Sequence, residues 1–402
     1  MQLPDSEPPV ISAPPVAADL LPGRSRLAAL LEHFGHIEDP RDVRRILHPL
    51  REILLLVVCG TIADCDDYDA IAAWGTAHLD FLRQHLPYVH GVPGGRWLTI
   101  LMNRINPALF SATFTAWVRA TWPDRPDFVA IDGKTSRRSH DRAAGEAPLH
   151  LVSAFATISR LVLGQEAVPD KANELTAIPA LLARLGEQDG LRGAVVSIDA
   201  IATNATIATA ITAVGADYLL AVKANQPTLR ADIAACFQDA PPQTIASHVE
   251  HDKGHGRIER REVSVIREVD WLSGDRRFPG ELRLPGVACL VRVLAQTERG
   301  GQAHSETRYY ISSAALDAAR AALAVRGHWG IENRLHWVLD VTFKEDQSRL
   351  RKGFGARNMA VARHFALNLV RIATDRKSLK LRRKQAAWAT DYLDRLLTGP
   401  TS

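Results

Sequence analysis

Four side chains suited to polar chemistry recur at every fourth position in the run His328-Trp-Gly-Ile-Glu332-Asn-Arg-Leu-His336-Trp-Val-Leu-Asp340. On a helix, that spacing lines up His328, Glu332, His336 and Asp340 along one face, one turn apart. Two carboxylates beside Trp329 and Trp337 are costly to bury unless something pairs with them, and a metal ion would do so. Two upstream aspartates are placed to share it. Asp132 closes Phe128-Val-Ala-Ile-Asp132 and Asp199 closes Ala194-Val-Val-Ser-Ile-Asp199. Each run is short, apolar and rich in β-branched residues, the pattern of a buried strand. An acid at the end of such a strand stands at the sheet edge, where α/β proteins keep their chemistry. Asp132, Asp199 and Glu332 are therefore the candidate catalytic and metal-binding residues.

Three carboxylates suit a hard cation, Mg2+ or Mn2+, which takes oxygen ligands and keeps several waters. Two such ions, about 4 Å apart, can activate a water or a 3′-hydroxyl and stabilise the leaving oxygen in a displacement at phosphorus. Softer ligands would favour zinc instead. Lys134, two residues past Asp132, shares its strand face and is placed to meet a phosphate. Spacing alone leaves other readings open. Strand-end aspartates also serve as turn formers and helix caps. Glu332 is equally able to pair with His328 or His336, and the stripe to act as a structural polar seam. Asp340, Glu345 and Asp346 compete for the place of third ligand. A zinc site on His328, Glu332 and His336 lacks the HExxH spacing.

The rest of the chain indicates what must position these residues. Its 402 residues can bury a large core and divide into two or three domains. Residues 1–23 hold six prolines and read as a flexible leader. Residues 24–122 read as a helical accessory domain, punctuated at Pro93-Gly94-Gly95. The period then changes. Strands are expected over 127–134, 149–156, 161–168, 194–199 and 217–223, with helices over 177–185 and 204–214. Three hairpin-like strands, then helix, strand, helix, strand, is the order of an RNase H-like α/β core. Its first part is assigned to 123–223 and its second to 316–375, interrupted by a β-rich insertion over 224–315. The fold class expected is a mixed sheet flanked by helices, with that insertion and the N-terminal helical domain.

A net charge of +4 permits a polyanionic partner without demanding one. The positive charge is concentrated towards the end of the chain, where 376–402 reads as a basic tail carrying Arg382, Arg383 and Lys384. Such a run is more often a solvated helix face than a nucleic-acid contact. Cys59, Cys65, Cys236 and Cys289 show no CxxC spacing, which argues against structural zinc. The N-terminal stretch lacks a secretory pattern, and the run from Ile53 to Cys59 is too short to span a bilayer. The expected location is the cytoplasm, with no membrane partner.

Several segments together resemble the insertion-sequence transposases of the DDE class, in their ISAs-type branch, over about Phe34 to Arg371. They include Ile131-Asp-Gly-Lys-Thr135, Lys171-Ala-Asn-Glu174, Ser197-Ile-Asp-Ala200, Gly215-Ala-Asp-Tyr-Leu-Leu-Ala-Val-Lys-Ala-Asn-Gln-Pro227, Lys253-Gly-His-Gly-Arg-Ile-Glu259 and His328-Trp-Gly-Ile-Glu-Asn333. The resemblance implies an RNase H-like core and strand cleavage and transfer dependent on Mg2+ or Mn2+, with two ions. Asp132, Asp199 and Glu332 would be the first, second and third acids. It also implies double-stranded DNA partners, the element's terminal inverted repeats and its target, handled by a homodimer at the bacterial nucleoid, with the domain at 24–122 binding the DNA ends. Related transposases carry a Tyr, Arg, Glu, Lys signature around the third acid. Here His328 and Leu339 stand at the arginine and lysine positions, so phosphate clamping would pass to Arg334, Lys344 or Arg349. Pro93-Gly-Gly-Arg-Trp97 replaces the family's usual Ser-His-Asp-Thr run, and Asn204 a usual glutamine. Lys253 and Arg257, in the segment from His248 to Arg261, are further candidates for DNA contact, as are Lys134, His328, Arg382, Arg383 and Lys384. The alternative is a catalytically silent DNA-binding protein or repressor derived from a transposase.

Overall fold

The computed structural model describes residues 25–140, 145, 147–168, 174–254, 257–272, 276, 278, 281–299 and 302–399. The expected leader at 1–23, residues 171–173 and His255 lie outside the described residues.

Six helices come first: α1 (Arg26–Gly35), α2 (Leu50–Ile62), α3 (Tyr68–Ala77), α4 (Leu79–Arg83), α5 (Gly95–Met102) and α6 (Pro107–Thr121). Their starts carry local signals. Ser25, Asp67 and Asn106 cap the first amides of α1, α3 and α6 with their side chains, and Pro107 opens α6. Helix α2 is buried on nearly every side, including Glu52, which accepts a hydrogen bond from the Tyr88 amide at 2.8 Å.

The sheet follows. Strands β1 (Phe128–Thr135), β2 (His150–Ala156) and β3 (Leu161–Val168) form an antiparallel meander. Helix α7 (Glu174–Gly186) leads to β4 (Val195–Ile198), and α8 (Ala205–Ala213) to β5 (Asp217–Val222). Asn204, the residue in place of glutamine, caps α8 by accepting from the Ile207 amide at 2.9 Å. Strands β1, β4 and β5 run parallel, and this half of the sheet has the order β3-β2-β1-β4-β5. The expected RNase H-like architecture is the observed one.

The insertion, expected to be β-rich, also contains a helix. Helix α9 (Pro227–Asp239) begins directly after β5, announced by Pro227 at its first turn and by Leu229, Ile233 and Phe237, which bury one face. Four long antiparallel strands follow: β6 (Ala246–Gly254), β7 (Arg257–Ile266), β8 (Cys289–Arg299) and β9 (Gln302–Ser312). Because β9 pairs with β5, the insertion extends the core sheet to nine strands in the order β3-β2-β1-β4-β5-β9-β8-β7-β6.

One long helical stretch returns to the core. Helix α10 (Ala318–Ile331) runs into a π-helical turn at Glu332–His336 and continues as α11 (Trp337–Val341). Helix α12 (Gly355–Arg371) is buried almost throughout and packs against α2, α6 and β3. Alternation along β1 sends Val129 and Ile131 to the side of α7 and α8, and Phe128 and Ala130 to the side of α10 and α12. Asp132 and Lys134 fall on the second side, facing the π turn.

The segment 376–402, read as a basic tail, is folded over most of its length. Helices α13 (Leu379–Trp388) and α14 (Thr390–Thr398) pack on α1, α2 and α12. This corrects the assignment of Arg382 and Arg383 as DNA contacts. Arg382 donates to the Val370 and Arg371 carbonyls at 2.9 and 3.1 Å and pairs with Asp375 at 2.8 Å. Arg383 is fully buried, donates to the Thr61 and Thr342 carbonyls, and pairs with Asp64 at 3.0 Å. Each guanidinium satisfies carbonyls at the C-terminus of another helix, α12 for Arg382 and α2 for Arg383.

His364 on α12 is fully buried, with neither ring nitrogen hydrogen-bonded. Burial, partly opposed by Glu345, brings its pKa down to about 4. The folded chain therefore refuses a proton that the unfolded chain accepts. Stability should fall as pH drops from about 6.5 towards 4 and then level off. His364→Leu should remove that slope. Urea unfolding at pH 7, 5.5 and 4.5 reads the difference, and a variant with the unchanged slope would contradict it.

Candidate active site

The site is assembled at the carboxyl ends of β1 and β4. The last paired residues of these strands are Ile131 and Ile198, so Asp132 and Asp199 leave adjacent strands side by side, about 5 Å apart in backbone. There the strands part. The chain after β4 turns away through Asp199, while β1 continues to Thr135. The helix from α10 to α11 crosses the opening.

The stripe identified in the sequence faces this edge, and each member meets a strand end. His328 Nδ1 lies 3.1 Å from Ser197 Oγ on β4. His336 Nδ1 lies 3.6 Å from Asp132 Oδ2 and 3.0 Å from Glu332 Oε2. Asp340 Oδ1 is 2.6 Å from Lys134 Nζ. The tryptophans point the other way: Trp329 and Trp337 are 45% and 55% exposed, whereas His336 is 3% exposed. A π turn at Glu332–His336 shifts the helical phase here; such turns cluster at functional sites.

Asp132, Glu332 and His336 form a cluster whose ligand atoms all lie within 4.8 Å of one another. Two carboxylates and one imidazole at that separation suit a divalent cation. Burial raises the Asp132 carboxyl above its ordinary pKa, against the opposing pull of His336 and the Gly133 amide, which donates to Oδ1 at 2.9 Å. Asp199 stands outside this cluster. Its Oδ1 is 2.6 Å from Lys223 Nζ at the end of β5. Burial pushes the Asp199 carboxyl up, but Lys223 outweighs it and holds the pKa below the ordinary value.

Lys134 does not offer a free charge to phosphate. Its side chain is 9% exposed and lies 2.6 Å from Asp340 and 2.7 Å from Glu345. Glu345, 1% exposed, is also 3.5 Å from Arg363. Of the competitors for third ligand, Asp340 and Glu345 thus anchor the lysine two residues beyond Asp132. Lys344 is likewise engaged, with Asp66 at 2.5 Å. His328 is turned inward to Ser197. Arg334, Arg349 and Lys253 are exposed, and Lys384 is half-buried. Arg257 begins β7, and its side chain lies outside the described residues. The hairpin around it is balanced in charge: Arg260 pairs with Glu262, Arg261 with Glu259, and Arg326 of α10 with Glu250 and Asp252.

Sequence reasoning missed three residues of the site. His336 was in the stripe, but only Glu332 was taken from it. Lys223 and Glu174 lay in motifs quoted for their resemblance and given no role. Glu174, at the start of α7, is 3.4 Å from His150 Nε2, whose Nδ1 is 2.8 Å from Thr135 Oγ1. These groups explain the glycine in Asp132-Gly-Lys134. A Cβ on Gly133 would lie 2.6 Å from His150 Nε2 and 2.7 Å from Glu174 Oε1. Both neighbours are buried and have little room to yield. Gly133→Ala should therefore cost roughly 1–3 kcal/mol by overpacking, read as a lower urea midpoint; an unchanged midpoint would contradict the close packing.

Comparison with known proteins places the chain in a family. A family model described as "Transposase DDE domain" matches residues 123–369, and one described as "DDE_Tnp_1-associated" matches 31–118. The "H repeat-associated putative transposase YhhI" of Escherichia coli K12 is 35% identical over 386 residues, covering 93% of this chain and 98% of that protein. The "Putative protein YbfL" of the same strain is 35% identical with the same coverage. The "Putative transposase YncI" of E. coli O157:H7 is 34% identical over 384 residues, 93% of this chain and 95% of that one. With the acids of β1, β4 and the π turn gathered at one sheet edge, and the match spanning most of the sequence, the chain belongs to the DDE-domain transposase family.

Proposed function

We propose that this protein is a DNA transposase that cleaves and joins strands at the ends of an insertion sequence, using Mg2+ or Mn2+, with two ions in the site. The observation that carries the proposal is the meeting of Asp132 and Glu332, which are 200 positions apart in the chain (332 − 132), with ligand atoms within 4.8 Å. Asp199 on the neighbouring strand end completes the trio once Lys223 releases it. Bound there, divalent ions would supply an activated water or 3′-hydroxyl and stabilise the leaving oxygen at phosphorus. The protein's own residues hold the geometry. Lys134, fixed between Asp340 and Glu345, ties the end of β1 to the segment after α11 and so steadies Asp132. Ser197 and His328 brace β4 against α10.

Double-stranded DNA is the proposed partner, as element ends and as target, handled by a homodimer that holds two ends together. Arg334, Arg349 and Lys253, all exposed, are proposed to meet backbone phosphates. Counterion release would make that binding weaken steeply with salt. No helix among the described residues is long and apolar enough to cross a membrane. We place the protein's work in the cytoplasm, on the nucleoid.

The test is incubation of the full chain with labelled duplexes carrying the inverted repeats that flank its gene, with Mg2+ or Mn2+. Nicking followed by joining is expected. Nicking without joining would make the protein a nuclease, and binding without either would make it a silent DNA-binding protein.

A further inference from the structure

We infer that His336 is itself a metal ligand, so that the site offers a nitrogen donor beside its carboxylates. This rests on the metal-dependent reading above and deepens it. His336 is 3% exposed, so its ring has been taken almost wholly out of water. Among the described residues, every polar contact of the ring comes through Nδ1, which faces Glu332 and Asp132 at 3.0 and 3.6 Å. The ring therefore presents Nδ1 to the point where the two carboxylates meet.

The backbone supports the same placement. Glu332 and His336 are the first and last residues of the π-helical turn, and their interacting atoms lie on the side facing β1. The three donors thus come from one strand end and one helical turn, with ligand atoms within 4.8 Å, a separation that one cation can bridge. A mixed donor set of two oxygens and one nitrogen favours Mn2+ over Mg2+, because imidazole suits later first-row ions better than magnesium.

The test is pulsed paramagnetic resonance on the full chain loaded with Mn2+ alone. Direct ligation predicts a nitrogen coupling from a bound imidazole, lost in His336→Gln, together with Mn2+ affinity lowered roughly tenfold or more. Thermal melting of metal-free wild type and variant controls for folding. His336→Asn, which keeps a polar group at the Nδ1 position, should not restore the nitrogen signal. Mn2+ bound with no nitrogen coupling in the wild type, but lost in Asp132→Asn, would overturn the role of His336 and leave the carboxylate site standing. No Mn2+ binding at all would overturn both.

Discussion

Asp132→Asn and Glu332→Gln should each lower strand cleavage roughly a thousand-fold, and the double variant should be little worse than either one. The two carboxylates lie in one cluster, from β1 and from the π turn, so they act as a unit. Losing one donor disables the cluster, which leaves the second substitution little to remove. Neither change should unfold the chain. Asp132 gains only one short hydrogen bond from the Gly133 amide, and Asn retains an oxygen to accept it. The measurement is single-turnover cleavage of the labelled end duplex, with circular dichroism to confirm folding. Additive losses in the double variant would mean that the two acids work independently.

The second large effect concerns Glu345. It is buried between Lys134 at 2.7 Å and Arg363 at 3.5 Å, and those partners are themselves 9% and 4% exposed. Burial alone would raise its pKa, but the two cations bring it down to about 2 from 4.5. The sign follows from that depression. Glu345 stabilises the fold fully above its unfolded pKa, and the contribution is lost as pH falls from about 4.5 towards 2. Glu345→Gln leaves two buried cations short of a partner and should cost about 3–5 kcal/mol at pH 7. Wild type and variant should converge in urea stability as pH is lowered through that window. Because Lys134 lies two residues beyond Asp132, the variant should also cleave more slowly. A parallel offset between the two stability curves at every pH would show that Glu345 does not carry its charge in the folded state.

The parts of this site that could be read from the sequence were those written in local pattern. Asp132 and Asp199 ended β-branched runs, and the runs are strands. The four-residue spacing from His328 to Asp340 marked a helical face, and that face meets the sheet edge. Other features depend on groups far apart in the chain. Arg383 read as surface charge because nothing near it in sequence shows the Thr61 carbonyl that it caps. Lys134 read as a phosphate contact because Glu345 is 211 residues away. The tryptophans beside Glu332 suggested a buried stripe; instead His336 is buried, His328 and Asp340 are half-buried, and Glu332 is exposed along with both tryptophans, since a stripe fixes a face but not how deeply it sinks. Helix α9 was missed, although Pro227 and the spacing of Leu229, Ile233 and Phe237 signalled it.

The claim on which the rest depends is that acids from two strand ends and one helical turn share divalent cations. Anomalous diffraction from crystals of the full chain grown with Mn2+ examines it directly. The expected result is a manganese peak roughly 2.0–2.2 Å from carboxylate oxygens of both Asp132 and Glu332, with Asp199 drawn off Lys223 towards a second. Manganese found only elsewhere, with Asp199 still held by Lys223 and no density between Asp132 and Glu332, would contradict it.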